Sequence, residues 1–172
     1  MKRWVRILAV SLAAASAVAF SGCSVRAQTA FTVDGKVTTM AQVNDTVNGC
    51  ATALGQPPAV LTNVLVSGMI VAQISRDMAA EQNVQTSDAD LTSMVQNGQI
   101  SGLPSSMLND PNCGSLAVSL ALQALMSFQM GSGSFITATQ SHTVVVNPRF
   151  GTWDPNNLTL SGSGSLSQLA NG

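Results

Sequence analysis

The sequence has little of what enzymes and nucleic-acid-binding proteins usually need. It has one histidine and three cysteines in 172 residues, no tyrosine, and only 9% charged residues. Histidine, cysteine and carboxylate residues show no spacing typical of a metal site, and no G-x-S-x-G motif or glycine-rich phosphate loop is present. The sequence therefore favours a protein that is not an enzyme, with no metal, cofactor or small-molecule substrate.

Basic residues are scarce beyond the extreme N-terminus. Lys2, Arg3 and Arg6 are three of the seven basic residues, and all eight acidic residues come later. A chain beginning at Cys23 would have a net charge of about −4. Nucleic-acid binding requires a basic surface, so DNA and RNA are not expected partners.

Residues 1–22 have the pattern of a secretory signal peptide. A basic start, Met1 to Arg6, precedes the apolar, alanine-rich residues 7–20. This apolar stretch is too short and ends too abruptly to be a good membrane-spanning helix. We therefore predict export and exclude residues 1–22 from the fold.

The end of this segment, Phe20-Ser21-Gly22-Cys23, resembles a bacterial lipobox, although Phe20 replaces the usual aliphatic residue. The resemblance implies a diacylglycerol on Cys23, with residues 23–30 as a lipid-linked tether. The expected location is the extracytoplasmic face of the cell membrane, anchored by the lipid. The alternative is an ordinary cleaved signal followed by a chance cysteine.

Two short segments near the ends of the mature chain have strand character. Thr143 to Val146 is a run of β-branched residues, and Pro148 ends regular pairing beyond it. A single strand needs a partner for its backbone groups, and Phe31 to Val37 is the best candidate. The fold class predicted is mostly α, with four or so helices closed by a small β pairing of the N- and C-terminal strands.

The first two helices have clear boundaries. Thr39 and Gln42 form a capping-box pattern, which predicts a helix from Met40 to Leu54 that ends at Gly55. A second helix is predicted from Pro58 to Glu81. A membrane span is its alternative, but polar residues within it favour a packed protein core: Thr62, Asn63, Ser67, Gly68 and Gln73.

The later helices are less sharply bounded. Ser87 predicts the N-cap of a short third helix, with Asp88 and Asp90 as first-turn carboxylates. A fourth helix from about Gly114 to Met130 is apolar on most sides, which predicts a central buried position. Residues 131–134 are predicted as a flexible joint and 155–172 as a flexible Gly/Ser/Asn tail.

One serine–histidine pair invites a hydrolase hypothesis. Ser141 and His142 are adjacent, so in a strand their side chains would point to opposite faces. A Ser–His hydrolase also needs a third orienting group and an oxyanion hole. We interpret His142 as a polar residue at the end of a strand.

If Cys23 is lipidated, Cys50 and Cys113 remain as an even pair in an exported chain. Such a pair favours a disulfide, which would tie the first helix to the fourth. Closing a loop of about 60 residues contributes roughly 4 kcal/mol in the chain-entropy model. The alternative is two buried free thiols in the core.

Seven methionines follow residue 22, and their role stays open between core filler and an adaptable contact surface.

The two terminal segments together resemble a known family. Residues 31–37, Phe-Thr-Val-Asp-Gly-Lys-Val, and residues 144–154, which contain Asn147-Pro-Arg-Phe-Gly-Thr-Trp-Asp154, are similar to the SurA N-terminal-like domain of actinobacterial lipoproteins. The resemblance covers about residues 31–154 and implies a helical module that binds unfolded or extended polypeptide. Longer relatives also have a parvulin-type prolyl isomerase domain, for which the 17 residues after Pro155 are too few.

Two functions follow as expectations. The first is a membrane-anchored, chaperone-like module that binds unfolded or extended exported polypeptides. The second is an accessory or structural lipoprotein that binds one dedicated protein partner.

Overall fold

The computed structural model describes residues 28–162, and the predicted signal peptide, Cys23 and most of the predicted tether lie outside this range. Helices dominate, and the strands are short. The elements of this range are β1 (Thr29–Val33), β2 (Lys36–Thr39), α1 (Met40–Leu54), α2 (Pro58–Glu81), α3 (Asp88–Gln96), α4 (Pro111–Met130), α5 (Ser132–Thr139), β3 (Val144–Val146), β4 (Thr152–Asp154) and β5 (Thr159–Ser161).

The predicted fold class is confirmed: helices form the body, and strands from the two ends pair. β1 is the central strand of a three-stranded sheet with the order β2-β1-β3. In its antiparallel pairing with β3, Phe31 lies opposite Val146 and Val33 lies opposite Val144. Phe31 and Val33 are buried in the core, so the sheet covers one side of the helices.

The turn between β1 and β2 is a two-residue hairpin turn. Asp34 has φ 49° and Gly35 has φ 81°, and both positive values suit a type I′ connection. The Asp-Gly pair provides them at low cost because aspartate tolerates, and glycine readily adopts, the left-handed region.

The predicted bounds of α1 and α2 are confirmed. The capping box is formed: the Gln42 N–H donates to Thr39 Oγ1, and the Gln42 side chain accepts from the Thr39 N–H. Gly55 has φ 63° and ends α1 with a left-handed residue. α2 begins at Pro58, where the missing N–H is not needed.

The later helices correct two expectations. α4 begins at Pro111 instead of Gly114, because the Asp110 carboxylate caps it by accepting the N–H groups of Asn112 and Cys113, each at 2.9 Å. Residues 131–134 were predicted as a flexible joint, yet α5 begins at Ser132. Phe135 of α5 is 1% exposed, so burial of its ring outweighs the poor helix propensity of glycine and serine.

The predicted tether and tail boundaries are also corrected where the structure describes them. Thr29 and Ala30 belong to β1, and Ala30 is fully buried. In the predicted tail, β5 pairs with β4, and the leucines on either side of Thr159 pack against the core. Residues 163–172 lie outside the described range.

The core is built around α4, which contacts α1, α2, α3 and α5. α2 and α4 are each long and apolar enough to cross a membrane by length and composition. Of their most apolar windows, 44% and 50% of the residues are buried inside the fold. Core helices of soluble proteins give the same pattern.

Candidate functional site

Two open clefts are each lined by residues of both α2 and α4, which pack against each other. One, named here the apolar cleft, lies between the first half of α2 and the second half of α4. The other, named here the polar cleft, lies between the second half of α2 and the first half of α4.

The apolar cleft has a volume of about 370 Å³ and no charged side chain in its lining. The strand β5 forms its third wall. Its apolar lining residues are Val64, Val71, Leu120, Leu158 and Leu160, and its polar ones are Asn63, Ser67, Gln123 and Thr159, with Gly68 between them.

Ser67 connects the β5 wall to α2. Its hydroxyl donates to the Asn63 carbonyl at 2.8 Å and accepts the N–H of Leu160 at 3.0 Å. Trp153 and Leu160 form the middle of the three residue pairs between β4 and β5. In an antiparallel ladder hydrogen-bonded and non-hydrogen-bonded pairs alternate, and this middle pair is of the second kind. The Leu160 N–H therefore points away from β4. The wall is therefore held to α2 by one backbone hydrogen bond and by leucine packing.

An exposed apolar ridge continues the cleft along α2. Val60 is 64% exposed and Val64 is 69% exposed. They are four residues apart and therefore share one face of the helix. Val64 also lines the apolar cleft, so the ridge extends its apolar surface.

The polar cleft is larger, about 530 Å³, and its lining is mixed. Two of its charged residues are paired: Arg76 Nη1 lies 3.3 Å from Asp88 Oδ1, and Lys36 Nζ lies 2.5 Å from Asp77 Oδ1. Arg76 Nε also donates to Ser119 Oγ. These contacts hold the side chains of α2 against neighbouring elements. Separately, the described residues contain no group of three or more histidine, cysteine or carboxylate side chains that could hold a metal ion.

The histidine has a structural partner at the end of the sheet. His142 Nδ1 lies 2.6 Å from Asp34 Oδ2, and the His142 side chain is only 8% exposed. Asp34 Oδ1 accepts the Thr143 N–H at 2.7 Å, and the Asp34 N–H donates to the Thr143 carbonyl at 2.9 Å. The hydrogen bond with His142, followed by that from the Thr143 N–H, lowers the pKa of Asp34 below its ordinary 3.8.

Ser141 does not join this group. Its hydroxyl donates to the Ala138 carbonyl at 2.7 Å. Asp90 accepts from Ser87 in a capping box, and Asp88 faces Arg76. The serine and the histidine of the hydrolase hypothesis therefore each have a structural contact in the described chain, and so do the two first-turn carboxylates.

Cys50 and Cys113 are brought together as predicted. Their sulfurs are 2.09 Å apart, a disulfide distance, and their Cα atoms are 4.8 Å apart. Both side chains are fully buried where α1 meets the start of α4.

The methionines belong to the core. All seven after residue 22 are buried or pack against buried residues: Met40, Met69, Met78, Met94, Met107, Met126 and Met130. Met69 also lines the polar cleft, whereas no methionine lines the apolar cleft. The exposed apolar ridge is made of valines instead, which sequence reasoning missed.

Cys23, the predicted lipidation site, lies outside the described residues. Comparison of the chain with models of protein families, with curated proteins and with solved structures gave no match. The resemblance to the SurA N-terminal-like domain therefore stays a prediction.

Proposed function

We propose that this protein is an exported, membrane-anchored lipoprotein that binds unfolded or extended polypeptides through the apolar cleft. The observation that carries the proposal is an open cleft with five apolar lining side chains and no charged one, continued by the exposed Val60–Val64 ridge. A concave cleft of a few hundred Å³ with a mostly apolar lining and a few polar groups is the usual form of a binding site.

The lining chemistry favours a client selected by shape more than by sequence. Side-chain amides of Asn63 and Gln123 can pair with main-chain groups, which every polypeptide has. The aliphatic side chains accept any apolar residue. Binding is expected to be broad and weak, because ordering a flexible client offsets much of the gain from burial.

The anchor is part of the same proposal. It rests on the lipobox-like residues ending at Cys23 and on the signal-like residues 1–22. The resemblance to the SurA N-terminal-like domain agrees with client binding. No reaction is proposed, since His142 and Asp34 are engaged in closing the sheet.

Binding of a fluorescent, permanently unfolded apolar polypeptide to the purified protein, measured by anisotropy, tests the proposal. Val64→Asp places a charge in the cleft and should weaken binding by at least about tenfold, because burying an unpaired carboxylate is costly. Val145→Asp is the matched control: Val145 is 61% exposed on β3 and lines neither cleft.

Moderate salt should leave the affinity nearly unchanged, because the cleft lining has no charge to screen. Absence of binding to several unrelated unfolded clients would refute the proposal. Equal loss of affinity in the Val64 and Val145 variants would refute the assignment to the apolar cleft.

The second candidate function, an accessory lipoprotein with one dedicated partner, is favoured by the outer face of the sheet. Val37 and Val145 both lie beside Thr32 in register, and they are 53% and 61% exposed. A crosslinked pull-down that recovers one stoichiometric partner from the wild type and loses it in Val145→Asp would select this function.

A further inference from the structure

We infer that the segment Leu158–Ser161 acts as an intramolecular ligand. It fills part of a longer groove, named here the client groove, of which the apolar cleft is the open part. A client must displace this segment to bind fully. This inference rests on the proposed function and adds its regulation. The segment is extended, apolar at alternate positions and seated on α2, which are the properties expected of a client.

The contacts of this segment support the inference. Leu158 and Leu160 are half-buried and pack against the core, whereas Thr159 between them is exposed. The Leu160 N–H donates to Ser67 Oγ on α2. This segment thus packs alternate side chains against the surface that we assign to clients, and it donates a main-chain N–H to that surface.

The remaining apolar cleft is the space beside this segment. Leu158, Thr159 and Leu160 line it on one side, and α2 and α4 line it on the other. Removing β5 would join the cleft to the surface now under the two leucines, and the groove would become longer. The present cleft is therefore a partly filled groove.

The segment is held weakly enough to be exchanged. It pairs with β4 over only three residue pairs. The turn before it places Leu158 at φ 53°, a left-handed conformation that is strained for leucine. Release would relieve this strain, and a client would replace the apolar contacts and the hydrogen bond to Ser67.

Gly151 gives an independent way to disturb the segment. A Cβ at this position would lie 2.6 Å from the Ser161 carbonyl oxygen, and Gly151 has φ 100°. Gly151→Ala should therefore push β5 away from β4 without changing any residue that lines the cleft.

Hydrogen exchange on the unmodified full chain tests the inference directly. A saturating unfolded apolar polypeptide should increase exchange of the Leu160 amide, whereas ordinary binding beside an immobile wall would slow it or leave it unchanged. Exchange at Phe31, in the centre of the three-stranded sheet, is the internal control and should not change.

Two variants complete the test. Leu158→Ser/Leu160→Ser and Gly151→Ala should each bind the client more tightly, by about five- to tenfold, because the competing segment is weakened. Gly133→Ala is the control, since nothing lies within 4 Å of a Cβ there. Circular dichroism melts establish that each variant is folded, and the exchange experiment needs no variant.

The outcomes separate the two proposals. Client binding without faster exchange at Leu160, or with unchanged or weaker affinity in both folded variants, overturns the intramolecular ligand and leaves the proposed function standing. Failure of wild type and variants to bind any client overturns both.

Discussion

At the scale of single residues, the position of Gly49 decides how closely α1 approaches α4. Gly49 precedes the disulfide residue Cys50, and a Cβ at this position would overlap the carboxylate of Asp110. That carboxylate caps α4 by accepting two backbone N–H groups. Glycine is therefore required here by space and not by backbone conformation.

Gly49→Ala is expected to destabilise the fold by about 1–2 kcal/mol or more, because it displaces the cap and adds an overlap. Urea unfolding measures the loss. In an Asp110→Ala background the same substitution should cost much less, since the overlapping carboxylate is gone. Additive effects of the two substitutions would contradict this interpretation.

The Asp34–His142 contact predicts a pH dependence. Because the folded state lowers the pKa of Asp34, its contribution to stability is fully present above the unfolded-state value of 3.8 and is lost as pH falls through the lower folded-state value. Asp34→Asn should therefore lower the melting temperature at pH 6, and the difference from wild type should shrink below about pH 4.

Thermal melts from pH 2 to 7 provide the measurement. Asp45→Asn is the control, because it removes an exposed carboxylate of the polar cleft, whose lining includes no residue of β3. A difference between wild type and Asp34→Asn that stays constant through the acid range would show that the carboxylate does not stabilise the closed sheet.

At the scale of elements, the Cys50–Cys113 contact joins α1 to α4 across 63 positions of sequence. Non-reducing peptide mapping of exported protein should recover the two cysteines in one linked fragment. Cys50→Ala/Cys113→Ala should lose up to about 4 kcal/mol in urea unfolding, from the loss of the cross-link alone. Full alkylation of both thiols without reductant would disprove the linkage.

Helices with local boundary signals could be predicted from the sequence. α1 has its capping box at Thr39 and its terminal Gly55, and α2 has Pro58 at its first turn. The Cys50–Cys113 disulfide could also be predicted by counting the cysteines, because two remain once Cys23 is predicted to carry the lipid. These features depend on neighbours in sequence or on the residue inventory.

The missed elements depend on distant contacts. α5 has glycine and serine in its first turn and is held by Phe135, whose burial needs the assembled core. β5 depends on Ser67, which is 93 positions away from Leu160. The apolar cleft exists only after α2, α4 and β5 have packed together, so no local sequence pattern could predict it.

At the scale of the whole molecule, the predicted lipid anchor would be attached through one atom, the Cys23 sulfur. The membrane location of the protein would therefore depend on that atom. Cys23→Ala should abolish labelling by a fatty-acid analogue and leave unprocessed precursor in the membrane fraction. Phe20→Leu restores the usual aliphatic lipobox residue and should be processed at least as fast as the wild type. Equal labelling of Cys23→Ala and wild type would exclude this lipid site.

The position of β1 between β2 and β3 also has a consequence for the order of folding. The hairpin β1–β2 can form at once, but β3 must find β1 across roughly 110 residues, from Val33 to Val144. The Cys50–Cys113 link shortens that path to about 50 steps along the covalent network. With loop-closure probability falling as about the 3/2 power of length, oxidation before closure should speed formation of the β1–β3 ladder about threefold. The cross-link thus holds the two ends of the chain closer together before the sheet forms, which accelerates their pairing.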